Sequence, residues 1–204
     1  MIYLYGASGH AKVVVEILEQ QQKVISGLVD SNPSITNLFQ YPVFQEIPTA
    51  DINNEIAVII CVGNNITRKK LAEGILFNFA TAIHPSSNIS ARSSIGVGSV
   101  IMSMVSINSG ASVGKHVILN TNSSVDHDCV LEDYVHISPN VALAGNVKVG
   151  AGTHIGIGAC VIQGIKIGKW ATIGAGTVII KDVPDYAVVV GNPGRIIKYN
   201  QKIN

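Results

Sequence analysis

Aromatic residues are scarce in this chain: Phe, Trp and Tyr make up 5% of 204 residues, with a single Trp. That suits a narrow core filled by Ile and Val rather than by rings. Net charge is nearly absent too, since 14 basic residues face 13 acidic ones. So balanced a chain carries no electrostatic footprint for nucleic acid. No apolar run reaches membrane-spanning length, so no membrane insertion is expected. Met1 leads directly into an apolar strand, and no signal-peptide pattern is read there. The three cysteines, Cys61, Cys129 and Cys160, are scattered and form no CxxC pair. They read as reduced core residues of a cytoplasmic protein, and no metal is expected from them.

What is present is a repeat. From Ile83 every sixth residue is aliphatic, through Val113, Leu131 and Ile155 to Ile179, seventeen in unbroken succession. Four residues after each stands a small or β-branched side chain, such as Ser99, Cys129, Thr153 or Ala171. Glycine often follows the aliphatic position directly (Gly96, Gly114, Gly150, Gly156, Gly168, Gly174). A period of six fits neither an isolated helix nor an alternating strand. It fits a parallel β-helix in which each hexad makes one short strand and one corner. Three hexads close a triangular coil, so residues 18 apart should stack. The glycines are expected to supply the backbone conformation of the corners.

The first 80 residues read differently. Ile2-Tyr3-Leu4-Tyr5 is a strand, Gly6-Ala7-Ser8-Gly9-His10 a glycine turn, and 11–18 a helix. Such a turn offers N–H groups and a helix N-terminus to an anion. The full GxGxxG fingerprint is missing, so a plain tight turn stands beside that reading. A second strand over 24–29 ends at Asp30, which either holds a ribose or base or opens the turn Asp30-Ser31-Asn32-Pro33. Residues 34–54 read as loop or short helix. A third strand over 56–62 ends at Gly63-Asn64-Asn65, and a helix follows from 66 to 77. Its Arg68-Lys69-Lys70 cluster reads as a solvated face. The carboxyl ends carrying Gly6–His10, Asp30 and Gly63 converge on one edge of a small parallel sheet, where ligands of open α/β sheets bind. The ladder is expected to stop at Pro184. The domain reading is 1–80, 81–185 and a tail over 186–204.

Six histidines are candidates for chemistry: His10, His84, His116, His127, His136 and His154. His127 sits between Asp126 and Asp128, and a neighbouring carboxylate orients an imidazole and raises its basicity. The alternative is a surface histidine at a corner. His136 and His154 are 18 apart and should stack. They could decorate an interface or, completed by His127 of a neighbouring subunit, hold zinc as in the gamma-class carbonic anhydrases; zinc needs three or four ligands at about 2 Å.

Taken together, Tyr3-Leu4-Tyr5-Gly6-Ala7-Ser8-Gly9-His10, Val62-Gly63-Asn64-Asn65, Leu119-Asn120-Thr121, His127-Asp128, Ala144-Gly145-Asn146-Val147-Lys148 and Gly191-Asn192-Pro193 resemble the nucleotide-amino-sugar N-acetyltransferases of the bacillosamine pathway. These belong to the family often described as sialic acid O-acetyltransferases, within the hexapeptide-repeat acyltransferases. The resemblance implies an α/β Rossmann-like N-terminal domain followed by a left-handed parallel β-helix; the usual crossover rule favours the other hand. It implies acetyl-CoA as co-substrate, a nucleotide-sugar substrate, and a homotrimer with sites between subunits. In that likeness His127 is the catalytic base and Asp128 the acid, usually Glu, that raises its basicity. Gly145 supplies an oxyanion N–H. Ser8, Gly9, His10, Asp30, Ser31 and Gly63 lie at the sugar-nucleotide site, and His136, Ile157 and Ala175 contact acetyl-CoA. Ser31 stands where many relatives have a second acid, and Gly194 where alanine is common. The reaction expected is acetylation of the 4-amino group of a UDP-linked 4-amino-6-deoxy sugar. O-acetylation of a sialic acid, the zinc hydratase and a non-catalytic scaffold are the alternatives.

Overall fold

The computed structural model describes residues 1–51 and 55–202. The N-terminal region is a small sheet of order β3-β4-β2-β1-β5-β6. Its strands are β1 (Ile2–Tyr5), β2 (Ile25–Val29), β3 (Asn37–Leu38), β4 (Tyr41–Phe44), β5 (Ala57–Ile60) and β6 (Asn78–Phe79), with helices α1 (Gly9–Gln20) and α2 (Asn65–Gly74). All pairings are parallel except β3 with β4. That hairpin occupies part of the stretch read as loop. Its strands are too short to show a period, and Pro42 interrupts the second.

Seventeen two-residue strands follow, one every six residues, from β7 (Ala82–Ile83) to β23 (Val178–Ile179). They build the three faces of a prism. Face 1 holds the strands beginning at residues 82, 100, 118, 136, 154 and 172, face 2 those beginning at 88, 106, 124, 142, 160 and 178, and face 3 those beginning at 94, 112, 130, 148 and 166. The stacking interval is 18 throughout, as in Val100 with Ile118, Ile118 with His136, and His136 with His154. The sixth-residue aliphatics and the small side chains four places on fill one continuous core. Some inward hydroxyls are satisfied within it, as where Thr153 Oγ1 donates to Gly168 O and accepts from Ala171 N, whereas Ser123 Oγ and Thr177 Oγ1 are buried without a partner among the described residues.

The left-handed residue of each corner stands three places after the aliphatic one, from Gly98 through His116, Asp128, Tyr134 and Asn146 to Gly176. The glycines directly after the aliphatics do not supply that conformation. They are there for space: a Cβ on Gly96 would lie 2.5 Å from Gly114 C, and one on Gly150 2.5 Å from Lys169 N.

The ladder continues past Pro184. Val183 bridges Ile167, and β24 (Ala187–Val190) pairs in parallel with β22 (Thr172–Ile173) on face 1. β25 (Arg195–Tyr199) then pairs antiparallel with β24.

Face 1 is also where the N-terminal region docks. Leu4, Val14 and Leu18 share a core with Ala82, Val100, Met102 and Ile118. Arg68 lies in this joint, 1% exposed, so it is no part of a solvated face. Lys69 keeps that role, paired with Glu73 at 3.2 Å. Cys61 and Cys129 are buried as expected, whereas Cys160 points outward from face 2 and is exposed. No helix among the described residues is long and apolar enough to cross a membrane.

Candidate active site

The corner of residues 126–129 joins faces 2 and 3, and His127 projects from it into solvent. Asp128 adopts φ 59°, a region in which Asp and Asn are the favoured non-glycine residues. From there its Oδ2 meets His127 Nδ1 at 2.9 Å. With the carboxylate as acceptor, Nδ1 carries the proton and Nε2 is left with its lone pair. Asp126 is held by Asn108 Nδ2 and by the His127 N–H, both at 2.7 Å to Oδ1, which keeps its carboxyl below the ordinary range. The hydrogen bond to Asp128, followed by the charge of Asp126, raises the pKa of His127.

Space for this pair comes from the neighbouring coils. A Cβ on Gly145 would lie 2.5 Å from His127 Nε2, and one on Gly110 2.4 Å from Asp128 Oδ1. Gly145 therefore lies directly beneath the free imidazole nitrogen. No acceptor among the described residues takes its N–H. Cys129 faces inward, its Sγ 3.2 Å from Ala144 O, and burial raises its pKa. It is core, not nucleophile.

At the sheet edge, Asp30 ties two turns together, accepting from Ala7 N at 2.8 Å and Asn32 N at 2.9 Å. Gly6 has φ 104°, and a Cβ there would sit 3.0 Å from Cys61 O, so only glycine fits. Ser8 is the N-cap of α1, but its side chain makes no capping bond, which leaves the hydroxyl and the first N–H groups of α1 available to a ligand. Gly9 is open around its Cα, and Ser31 is exposed. His10 is largely enclosed. Burial, then the charge of Arg68, lowers its pKa to about 4, and its buried Nε2 has no partner among the described residues.

His136 reaches this region from face 1, with Nδ1 3.3 Å from Gly63 O. Its ring stacks on His154 at 4.8 Å, and Ser138 Oγ lies 2.8 Å from His154 Nε2. Burial and the neighbouring His154 push the pKa of His136 down to about 3, so it is neutral near pH 7, with its buried Nε2 unpartnered among the described residues. A cavity of about 680 Å³ opens here between Gly63–Ile66 and His136, His154, Trp170 and Thr172. Among the described residues, no group of three or more His, Cys, Asp or Glu is assembled for a metal ion.

The structure thus brings together two groups. His127, Asp128 and Gly145 share one corner, while His10, Asp30, Gly63 and His136 gather where the N-terminal region meets face 1. Ile157 and Ala175 stack at the corner between faces 1 and 2, both exposed. The corner bearing His127 is opposite face 1, so within one chain the two groups are on different sides of the coil. Sequence reasoning missed Arg68 and Asn65, which anchor the Gly63 loop. The available signal was Asn64, which caps α2 by accepting from Thr67 N at 3.0 Å and so places 65 and 68 on one side of the first turn.

Residues 1–75 match the PglD N-terminal domain. GDP-perosamine N-acetyltransferase of Escherichia coli O157:H7 is 34% identical over 147 residues, 68% of this chain and 66% of that protein, just under two thirds of its length. A crystal structure of perosamine N-acetyltransferase from Caulobacter crescentus, a histidine-to-asparagine mutant in complex with CoA and GDP-perosamine, superposes with a TM-score of 0.93. It has 34% identity and covers 97% of this chain and 96% of that one. The acetyltransferase domain of PglB from Neisseria gonorrhoeae in complex with acetyl coenzyme A gives 0.88, with 34% identity over 96% of this chain and 98% of that one. On this likeness across nearly the whole chain, the protein belongs to the nucleotide-amino-sugar N-acetyltransferases of the bacillosamine-pathway type, left-handed β-helix enzymes that use acetyl-CoA.

Proposed function

We propose that this enzyme moves the acetyl group of acetyl-CoA onto the 4-amino group of a nucleotide-linked 4-amino-6-deoxy sugar, with His127 as general base. The observation that carries the proposal is the His127 arrangement: Nδ1 is engaged by Asp128, and Nε2 is free above Gly145. The sugar amine attacks the thioester carbonyl, forming the C–N bond and a tetrahedral oxyanion. His127 Nε2 takes the proton from the attacking nitrogen. The Gly145 N–H donates to the oxyanion. The C–S bond then breaks, and the proton passes from the imidazolium to the departing CoA thiolate. Base catalysis of this kind contributes about 10²–10⁴-fold, and one oxyanion donor about 10²–10³-fold.

The nucleotide is assigned to the edge formed by Ser8, Gly9, His10, Asp30, Ser31 and Gly63, where α1 presents free N–H groups to a diphosphate. His136, Ile157 and Ala175 are assigned to acetyl-CoA, whose arm would follow the corner between faces 1 and 2. Because His127 is opposite face 1, a complete site takes His127 from one subunit and the sugar edge from another. A homotrimer supplies that arrangement three times. The substrates are cytoplasmic metabolites, and that is the compartment proposed.

Two relatives act on or bind a GDP sugar, which favours GDP over the UDP expected from the sequence. Thiol release from acetyl-CoA, measured with GDP- and UDP-linked 4-amino-4,6-dideoxy sugars side by side, decides between them. Release that depends on the sugar and is lost in His127→Ala supports the reaction. Release with free sialic acid and none with either nucleotide sugar overturns it.

A further inference from the structure

We propose that Arg68 is a positioning residue for this reaction: it fixes the Val62–Asn64 loop on the β-helix and so sets the nucleotide-sugar site. The inference rests on the nucleotide-sugar reading above. A guanidinium has five N–H donors, and here all five are used. Nε donates to His116 O at 2.8 Å. One terminal nitrogen, Nη1, donates to Val62 O and Gly63 O at 3.1 and 3.2 Å. The other, Nη2, donates to Asn65 Oδ1 at 2.9 Å and Tyr134 O at 2.8 Å.

These acceptors fall into two sets. His116 and Tyr134 are corner residues one coil apart. Asn65 Nδ2 extends the contact to a third coil, at Gly152 O and Thr153 O. Of the remaining acceptors, Val62 O and Gly63 O belong to the loop at the carboxyl end of β5, and Asn65 Oδ1 to the first residue of α2. One side chain thus joins the loop to consecutive coils of the β-helix, and the Gly63 carbonyl it holds also meets His136 Nδ1.

The charge carries a second argument. Every acceptor is neutral, and no carboxylate among the described residues pairs with Arg68. Burying an unpaired cation is expensive, and an apolar joint would hold the two regions together at lower cost. What an apolar joint lacks is direction. It cannot fix two successive loop carbonyls in place, and it leaves no positive charge beneath the edge where a diphosphate would lie. His10, assigned to the same edge, has a buried Nε2 with no partner among the described residues.

Arg68→Lys keeps the charge but offers at most three donors in place of the five; Arg68→Met removes both. The KM for the nucleotide sugar is expected to rise about tenfold in Arg68→Lys and about a hundredfold in Arg68→Met. The KM for acetyl-CoA and kcat at saturating sugar are expected to stay within about threefold. Lys69→Ala, an exposed neighbour on α2, should change none of these. An unchanged sugar KM in Arg68→Lys overturns the proposal, even if Arg68→Met does not fold. So does a parallel loss in both KM values and kcat that tracks a lowered Tm, because that describes a bolt of the fold alone. If the wild type releases no thiol with either nucleotide sugar, the proposed reaction has failed rather than this inference. Calorimetric binding of GDP and UDP to wild type and Arg68→Lys then decides it: weaker binding by the variant upholds it, and equal binding overturns it.

Discussion

At His127 a raised pKa and the proposed service as a base pull in opposite directions. The carboxylates of Asp128 and Asp126 make the imidazole a better proton acceptor, yet below its own pKa the ring is already protonated and can accept nothing. The acid limb of kcat/KM is therefore expected to have its midpoint above the ordinary histidine value of 6.5. Asp128→Asn should move that midpoint down and lower the plateau; a pH profile of both proteins checks it. For stability the sign is the reverse. A raised pKa favours the fold while the ring is protonated, fully so below the unfolded value, and the gain is lost as pH rises through the folded one. The pair is solvent-exposed, so this contribution is small. His127→Ala is expected to reduce kcat by about 10²–10⁴-fold and leave acetyl-CoA binding unchanged by calorimetry. In Gly145→Ala the new methyl would displace the exposed imidazole and not the core, so kcat should fall with Tm nearly unchanged.

At the scale of the coil, the glycines divide into two kinds that a substitution tells apart. Gly158 has φ 68° with open space around it, so alanine there meets only the left-handed penalty of about 1–2 kcal/mol. Gly150 faces the next coil at 2.5 Å, and alanine forces the coils apart at a cost of about 3 kcal/mol or more. Urea midpoints of the two variants are expected to fall in that order. The left-handed column is mostly Gly, Asn and Asp, the residues that adopt this region most readily, but Met104, His116, Tyr134 and Trp170 break the pattern and hide it in the sequence. Backbone closure of the triangle imposes the conformation, and a neighbour or a local hydrogen bond makes it tolerable. Tyr134 is one such case, its ring stacked on His116 at 5.4 Å.

For the whole molecule, the opposition of His127 and face 1 means that the proposed site would be a property of the assembly. Mixed oligomers test this directly. His127→Ala and a variant defective at the sugar edge, such as Asp30→Ala, should each be inactive alone. Co-assembled at equal amounts, they should recover about a quarter of wild-type activity, the share of sites in which both halves are intact. No recovery in confirmed mixed oligomers would mean that each chain builds its site alone.

The period of six, the inward positions, the interval of 18 and the candidate pair His127–Asp128 are all legible in the sequence, because each hexad repeats one local geometry and burial selects its residues. The glycine turn and Asp30 are legible for the same local reason: tight turns and strand ends have their own chemistry. Only the tertiary structure decided that the N-terminal region covers face 1, that Arg68 is buried, that Cys160 faces out and that His127 is on the far side of the coil. Those outcomes depend on how two separately patterned regions dock. Docking is fixed by single contacts, such as one guanidinium on a row of corner carbonyls, and these leave no periodic trace in the chain.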